Sequence, residues 1–449
     1  MRDKAKTQRR QSGRWLARSA VVAAAAVLSL VAAPATVSTA LPDPAKAPQG
    51  QHRCAGPISH GACAPLTVEL DGQRMLQTRN KLRAQDPILE PELATLLTQA
   101  DAALTAGPWS VTDKALIPPS GNKADYVSEA PYWWPTQPLT VDNPYGCPYV
   151  QKDGQRYPGA DAITDTSERG TAFDAIYKLS LAWYYTGDPQ YAHRAELDIR
   201  TWFVNQATKM NPNLDYAQFI PCQNNGRGIG IIEFAEALPD VIDAVAVLDS
   251  GAPGWVERDH KDMTAWFSEF LGWLQTSPNG QDEKAATNNH GSFFDQQEAA
   301  LALYTGQPAL AKSIVLAAQT SRIDVQINGD GSQPLELSRT RSWHYSMFNL
   351  MALTRLADVG RHVGVNLWDY TSPTGGTLAK AVDFLIPAAT GQSAWPYPES
   401  KFQPFRMLDV IHAAADAGDS AALAAVPLVP IPPSDGDIWM LRPAADFLS

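Results

Sequence analysis

A short polar segment, Thr287-Asn288-Asn289-His290-Gly291, stands immediately before an apolar stretch with helical spacing. Thr and Asn are favourable N-cap residues, so Asn288 or Asn289 can bond the first free backbone N–H groups of that helix. One cap needs only one such side chain, whereas three hydrogen-bonding residues occur here in sequence. Histidine can exchange a proton near neutral pH. The segment therefore indicates either an ordinary helix start or a site in which His290 accepts or donates a proton.

A second segment, Leu335 to Tyr345, brings arginine and tyrosine together just before a predicted helix. On a helix Arg341 lies four residues before Tyr345, so the two side chains share one face. A free phenol has a pKa near ~10, and a fixed cation beside it favours the phenolate. The spacing predicts that Tyr345 can act as a base. The alternative is a surface arginine beside a tyrosine whose hydroxyl reaches solvent.

Aromatic residues dominate a third segment, Ser128 to Pro135, which includes Tyr132, Trp133 and Trp134. Two adjacent tryptophans flanked by prolines cannot both point into one core from a helix. Exposed aromatic rings beside loops are typical of platforms on which sugar rings stack. A tryptophan in a proline-rich loop can equally serve only to anchor that loop.

Other familiar chemical motifs are missing from the sequence. It contains no His-x-x-x-His or Cys-x-x-Cys spacing for a metal, no Gly-x-Ser-x-Gly and no phosphate-binding loop. The run Asn328 to Ser332 has only part of the ligand spacing of a calcium loop, and a turn explains it. We therefore expect neither a metal nor a cofactor.

Helices must position these three segments, because apolar residues recur at helical spacing through most of the chain. A helix ends at Gly187 and another starts at Asp188-Pro189, and this corner recurs at Gly306-Gln307-Pro308. Repeated corners predict an all-α fold of antiparallel helix hairpins that bury their apolar faces against neighbours. Two arrangements are possible, an open α-solenoid or a ring of hairpins, the (α/α) toroid. A toroid would bring distant loops together at one end.

The two ends of the chain differ from this helical region in composition. Residues 1–40 combine a basic start, an uncharged run from Ala20 to Ala33 and small residues at Ser38 to Ala40, which predicts a signal peptide and export. Residues 41–65 are rich in Pro and Gly and predict a flexible arm. Residues 66–425 form the helical domain, and residues 426–449 are a proline-rich tail.

The net charge limits the binding partners that we expect, and the cysteine content limits the possible disulfides. Residues 1–40 carry seven basic residues and one acidic residue, so their removal changes the net charge from −11 to −17. Such a surface disfavours nucleic acid and anionic membranes, so a polyanionic substrate would need a local basic groove. In an exported protein four cysteines permit two disulfides. We predict Cys54–Cys63 and Cys147–Cys222, although four cysteines allow three pairings.

In this order, the segments resemble the alginate-lyase superfamily of polysaccharide lyases, most closely family thirty-eight and more distantly family five. The resemblance extends from about Leu96 to Tyr370. The residues that carry it are Tyr132-Trp133-Trp134-Pro135, Asn225-Gly226-Arg227-Gly228, Asn288-Asn289-His290-Gly291 and the run from Glu336-Leu337-Ser338-Arg339 to Tyr345.

This resemblance implies an incomplete (α/α) toroid that cleaves a uronic-acid polymer, such as alginate or glucuronan, by metal-independent β-elimination. It implies catalytic roles for Asn289, His290 and Tyr345. The arginine is either Arg339 or Arg341, because the segment is one residue shorter than in family five, and the shared helix face favours Arg341. The residues expected to bind substrate are Tyr132, Trp133, Trp134, Asn225, Arg227, Arg339 and His344.

Two other functions fit a helical, exported protein. An inverting glycoside hydrolase needs two carboxylates that flank the scissile bond, and Glu233, Asp330 and Glu336 are available without forming a recognisable pair. A non-catalytic glycan-binding α-solenoid would keep the tryptophans and would not need His290 and Tyr345.

Overall fold

Helices make up most of the molecule, which is an incomplete (α/α) toroid, as predicted. The computed structural model describes residues 53–59, 62–434 and 436–442. The predicted signal peptide, residues 1–40, lies outside the described residues. Within these ranges the sixteen α-helices are α1 Gly72–Arg83, α2 Glu90–Leu104, α3 Asp165–Thr186, α4 Pro189–Ile199, α5 Ile232–Ala235, α6 Leu238–Asp249, α7 Glu257–Thr276, α8 Pro278–Lys284, α9 Asn289–Tyr304, α10 Pro308–Ala318, α11 Asp324–Gln326, α12 Pro334–Leu337, α13 Ser342–His362, α14 Leu378–Ala389, α15 Leu408–Asp416 and α16 Ser420–Ala425.

An inner row of helices forms the centre of the fold. Helix α3 packs on α6, α6 on α9, α9 on α13 and α13 on α15. These helices are buried on most sides, since nearly every residue of α6 and α9 is covered. Helices α4, α7, α10 and α14 lie outside this row, and α4, α7 and α14 show the one-sided apolar pattern of outer helices.

The recurring corners form as the sequence predicts. Gly187 ends α3 with a φ of 78°, and Asp188 accepts a hydrogen bond from the Gln190 N–H at the start of α4. Gly306 has the same φ of 78° between α9 and α10. Glycine reaches this left-handed conformation without steric cost, so each corner can reverse the chain.

The described residues include six short strands, of which two precede α1 and four lie in the loops between helices. They are β1 Cys54–Ser59, β2 Ala62–Pro65, β3 Val127–Glu129, β4 Trp133–Pro135, β5 Tyr149–Gln151 and β6 Tyr216–Phe219. Strands β1 and β2 pair antiparallel, β3 and β6 pair parallel, and β4 and β5 pair antiparallel with Trp133 opposite Gln151. Because α13 and α9 both begin near the β4–β5 hairpin, these loops build one end of the toroid.

Both ends of the described chain contact the helices. The β1–β2 pair falls within residues 41–65, the segment predicted to be a flexible arm, and β2 contacts α1 and α6. In the proline-rich tail, the Leu441 carbonyl accepts a hydrogen bond from the Tyr185 hydroxyl, and Arg442 pairs with Asp409 at 2.8 Å. None of the described helices combines the length and apolar character that a membrane span requires.

The predicted Cys147–Cys222 disulfide is present. It ties the loop before β5 to the loop after β6, so two of the segments around the functional end are covalently joined. The side chain of Cys54 lies outside the described part of the chain, and its pairing with Cys63 stays a prediction.

Candidate active site

A cleft of about 730 Å³ lies at the end of the toroid where α9 and α13 begin. Its walls come from the β4–β5 hairpin, the loop after β6, the start of α9 and the segment from α12 to α13. Eight of the predicted site residues line it, namely Tyr132, Trp133, Arg227, Asn289, His290, Arg339, His344 and Tyr345. The three other predicted residues, Trp134, Asn225 and Arg341, do not.

Tyr345 lies at the centre of this arrangement. Its hydroxyl donates a hydrogen bond to the Tyr132 hydroxyl at 2.9 Å, which links α13 to the hairpin wall. The guanidinium carbon of Arg339 lies 3.7 Å from the centre of the Tyr345 ring. The side chain is buried, with only 6% of its surface exposed.

The protonation state of Tyr345 differs from the sequence-based expectation. Burial raises the pKa of its phenol above the ordinary value, and the neighbouring Tyr132 raises it further, whereas Arg339 lowers it. The loss of hydration outweighs the cation, because a phenolate inside the protein loses the water that would stabilise its charge. The phenol is therefore protonated in the free cleft and is a proton donor first.

The prediction that Arg341 shares a helix face with Tyr345, which favoured Arg341 over Arg339, is wrong. Arg341 precedes α13 with a φ of −126° and a ψ of 57°, so the i,i+4 spacing on a helix does not apply to it. Its side chain packs beside Gly154, where an added methyl group would lie 3.2 Å from Arg341 Cγ. Arg339 instead contacts Tyr345 and forms a two-point ion pair with Asp153 at 2.7 and 3.2 Å.

His290 is held by a carboxylate that sequence reasoning missed. Its Nδ1 lies 2.7 Å from Glu283 Oε1, and the Glu283 side chain is fully buried at the end of α8. An ionised carboxylate can accept hydrogen bonds but cannot donate them. In the neutral imidazole, Nδ1 therefore carries the proton and Nε2 is the acceptor. This geometry leaves Nε2 as the atom of His290 that can take a proton.

A buried arginine fixes the loop between α8 and α9, and so the distance from Glu283 to His290. Arg322 pairs with Asp295 at 2.8 Å and donates to the carbonyls of Ala286 and Lys284 at 2.6 and 2.9 Å. A side chain at Gly291 would collide with the Ala286 carbonyl and the Arg322 guanidinium. The glycine after His290 therefore allows α9 to start against this loop.

Asn289 is held by a second buried carboxylate. Glu336 accepts hydrogen bonds from the Asn289 backbone N–H and from its side-chain Nδ2, both at 2.8 Å. Asn288 supplies the N-cap of α9, because its side chain accepts a bond from the His290 N–H. The simple helix-cap interpretation thus holds for Asn288 and leaves Asn289 and His290 in the cleft.

Arg227 provides a second positive charge on the wall opposite α13. Its Nε and Nη2 donate to the backbone carbonyl and the side-chain oxygen of Gln218, each at 3.0 Å. No carboxylate of the described residues forms an ion pair with it, and burial lowers its pKa to about 10. It stays charged at neutral pH and lies 6.0 Å from the Trp133 ring.

The two tryptophans point to opposite sides of β4, as alternate strand residues do. Trp133 lines the cleft. Trp134 lies outside it, where its Nε1 donates to the Gln155 carbonyl at 2.8 Å and Lys152 covers its ring. Asn225 is exposed on the loop after β6 and does not reach the cleft.

This difference leads to a test with a matched pair of variants. We expect Trp133→Ala to raise KM roughly fivefold, since an aromatic stacking contact contributes ~1 kcal/mol. Trp134→Ala should leave KM unchanged and lower the melting temperature, because its contacts join the hairpin to the segment that follows it and lie outside the cleft. Michaelis–Menten kinetics and thermal unfolding of both variants check this. An equal rise in KM for both would contradict a stacking role specific to Trp133.

His344 lines the cleft as an uncharged ring. Burial, together with the positive charge of Arg341 and other arginines, lowers its pKa to about 3. Its ring stacks on Phe348 with an interplanar angle of 17°. His344 therefore contributes shape and apolar surface, and it carries no charge at neutral pH.

Carboxylates suited to hydrolysis do not face each other across the cleft. Glu233 accepts bonds from Tyr126 and Ser128, and Glu336 is engaged with Asn289. Asp330 lies in a turn that it shares with Ser332. The only carboxylate among the described cleft-lining residues is Asp153, which pairs with Arg339. No group of three potential metal ligands occurs among the described residues.

The sequence did not predict that Gln218, Glu283 and Asp153 would contact the site residues. It offered Glu336 as a candidate carboxylate for hydrolysis. Glu283 stands seven residues before His290 in a short polar helix, and nothing in that spacing predicts a contact. Asp153 and Arg339 are far apart in the chain. Gln218 carried one signal visible only in three dimensions, a positive φ of 49°, which is uncommon for a non-glycine residue.

Comparisons with known proteins indicate the family and the fold. The family model described as Alginate lyase matches residues 110–395. A crystal structure of an alginate lyase from Bacteroides ovatus is 34% identical and superposes with a TM-score of 0.78, covering 84% of this chain and 99% of that one. A histidine-to-alanine variant of alginate lyase A1-III, complexed with tetrasaccharide, shares the fold at 18% identity and a TM-score of 0.51, covering 79% and 93% of the two chains. No curated protein matches the sequence.

Proposed function

The chain belongs to the alginate lyase family of polysaccharide lyases, and we propose that it cleaves a uronic-acid polymer, alginate or glucuronan, by metal-independent β-elimination. One observation carries this proposal. Tyr345, His290, Asn289 and Arg339 meet in a single cleft that also contains Arg227 and the half-buried ring of Trp133. The related A1-III enzyme was crystallised with a tetrasaccharide, which supports an oligosaccharide as the occupant of such a cleft.

The reaction removes the hydrogen on C5 of a uronate and expels the oxygen on C4. The C5 hydrogen is weakly acidic, and negative charge spreads onto the neighbouring carboxylate as it leaves. That charge is stabilised by fixed donors and cations in a site with little water. We assign this role to Arg339 and Asn289, and we assign to Arg227 the carboxylate of a neighbouring sugar.

Tyr345 supplies the proton to the departing C4 oxygen, because its phenol is protonated in the cleft. The base depends on the stereochemistry of the sugar. In guluronate the C5 hydrogen and the C4 oxygen lie on opposite faces, and Nε2 of His290 accepts the hydrogen. In mannuronate and glucuronate both lie on one face, so Tyr345 must first release its proton to solvent. The phenolate then takes the C5 proton and passes it to the departing C4 oxygen, which regenerates the phenolate. Arg339 lowers the cost of that phenolate.

Glu283 supports the base role of His290. When Nε2 accepts a proton, the imidazolium gains a carboxylate partner at 2.7 Å. A carboxylate that orients a histidine and stabilises its charged form is the arrangement used in catalytic triads. Glu283 acts through His290 and lies outside the cleft lining.

We place this activity outside the cytoplasm, with an anionic polysaccharide as the partner and with neither nucleic acid nor membrane bound after the signal peptide is removed. The support is the basic start and apolar run of residues 1–40 and the acidic balance of the remaining chain. The polymer meets local positive charge at Arg227 and Arg339 within that acidic surface.

One assay distinguishes the lyase from the two alternatives. We expect incubation with polymannuronate, polyguluronate and glucuronan to generate ultraviolet absorbance from an unsaturated sugar end on at least one of them. An inverting hydrolase would release reducing ends without this absorbance, and a binding protein would release neither. Reducing ends without absorbance on every polymer would contradict the proposed elimination. The Tyr345→Phe variant is the matched control for contaminating lyase, because Tyr345 transfers a proton on every one of these polymers.

A further inference from the structure

We propose that Glu336 is a positioning residue of the elimination reaction, whose task is to set the orientation of the Asn289 side-chain amide. This inference rests on the proposed function, because it assigns a purpose to a group beside the same cleft. It also changes the role of Glu336, which the sequence offered only as a candidate carboxylate for hydrolysis.

The contact between the two residues is bidentate and buried. Glu336 Oε1 accepts the backbone N–H of Asn289, and Oε2 accepts its side-chain Nδ2, both at 2.8 Å. Asn289 is 0% exposed and Glu336 is 1% exposed. Two hydrogen bonds to one residue define both its position and the rotation of its amide.

The location makes a carboxylate suitable for this task. Asn289 is the first residue of α9, where backbone N–H groups lack partners within the helix and the helix dipole favours negative charge. Glu336 reaches this point from α12, forty-seven positions further along the chain. Burial raises the pKa of the Glu336 carboxyl group, and the two hydrogen bonds from Asn289 and the positive charge of Arg339 oppose that rise.

The orientation decides what Asn289 offers to a ligand. An asparagine amide carries two N–H donors and one carbonyl acceptor. One Nδ2 hydrogen points to Glu336, and Oδ1 has no hydrogen-bond partner in the structure. The reverse orientation would turn Oδ1 toward a carboxylate, and two acceptors repel each other. Glu336 therefore prevents the amide from turning over and keeps the second Nδ2 hydrogen available for substrate.

The same turn of chain also connects Asn289 to Arg339. The Arg339 N–H donates to the Glu336 carbonyl at 3.1 Å, so α12 is directly followed by the arginine that contacts Tyr345. One short element thus sets the amide of Asn289 through the Glu336 side chain and begins the placement of Arg339 through its backbone. This explains why a buried carboxylate stands three residues before the arginine.

The test is a double-mutant cycle on Glu336→Gln and Asn289→Ala. Glutamine has the same size but presents an NH₂ group to the donors of Asn289, which favours the reversed amide. We expect Glu336→Gln to lower kcat about 100-fold, comparable to the loss of one transition-state donor, and to change KM less than about threefold. In the Asn289→Ala background the same substitution should lower kcat less than about threefold, because the group it positions is already gone.

Glu298→Gln is the matched control. Glu298 is a buried carboxylate on α9, the helix that begins at Asn289. It pairs with Lys284 at a distance of 2.9 Å and does not line the cleft, so the kcat of the Glu298→Gln variant should stay within about twofold of wild type. Thermal unfolding identifies variants that fail to fold. If Glu336→Gln fails, Glu336→Asp takes its place in the cycle, with a smaller loss of kcat expected, since the charge remains and the reach is shorter.

Different outcomes would overturn the positioning role of Glu336 and the proposed lyase activity. Losses that multiply in the double variant, or a Glu336→Gln enzyme with more than half the wild-type kcat, overturn the positioning role. A wild-type protein that forms no unsaturated ends on any uronate polymer overturns the proposed function instead. Full activity of Asn289→Ala would overturn the role of Asn289, and the positioning role would end with it.

Discussion

Tyr345→Phe should remove nearly all turnover, with kcat lowered about 1000-fold or more, which corresponds to ~4 kcal/mol of transition-state stabilisation. The substitution deletes one oxygen, and that oxygen is the protonated phenol that gives its proton to the departing sugar. General acid–base groups typically contribute a factor of this size. Polymer binding and folding should be largely kept, because the ring and its contact with Arg339 stay in place.

Initial rates of absorbance increase on the best polymer, together with binding of the uncleaved chain, measure this effect. Tyr191→Phe is the matched control, since it also deletes a hydrogen-bonded phenol oxygen, here bonded to Asp101 at 2.6 Å between two helices. Its kcat should stay within about twofold of wild type. If Tyr345→Phe retained more than about a tenth of wild-type kcat, Tyr345 would not be the essential acid or base.

Arg339→Lys and Arg341→Lys should differ sharply, although the two arginines stand two positions apart. We expect about a 100-fold loss of kcat for Arg339→Lys, or ~2.7 kcal/mol. The Arg339 guanidinium bonds Asp153 at two points and at the same time lies over the Tyr345 ring, 3.7 Å from its centre. A lysine ammonium has neither the planar fork nor the flat surface that these two contacts use together.

Arg341→Lys should change kcat less than about threefold, because its side chain lies beside Gly154 and not in the cleft lining. Steady-state kinetics of both variants under the same salt conditions checks the pair. A large loss for Arg341→Lys with little change for Arg339→Lys would restore the helix-face argument and contradict the geometry described above.

The sequence by itself determined the antiparallel helix hairpins of this protein, whereas the choice of the toroid over the open solenoid came from the motif resemblance. Apolar periodicity and the recurring Gly-Pro corners depend on local backbone conformation and on burial of one helix face, and both can be read from neighbouring residues. The same holds for the start of α9, since the Asn288 cap and His290 follow from residue types over four positions. Motif resemblance added Tyr132, Asn289, His290 and Tyr345 as site residues, and all four line one cleft.

The tertiary structure decided which charges meet in that cleft. Glu283, Glu336 and Asp153 hold His290, Asn289 and Arg339, and each contact joins separate elements. No local pattern encodes such contacts, because they arise only when the helices pack.

The choice of arginine and the protonation of Tyr345 were decided in the same way. The i,i+4 rule fails where α13 has not yet begun, so Arg341 points elsewhere. The phenol of Tyr345 stays protonated because burial removes the hydration that a phenolate needs, and burial depends on the whole fold around it. The sequence predicted Tyr345 as the acid–base residue, and only packing determined which proton state its phenol holds.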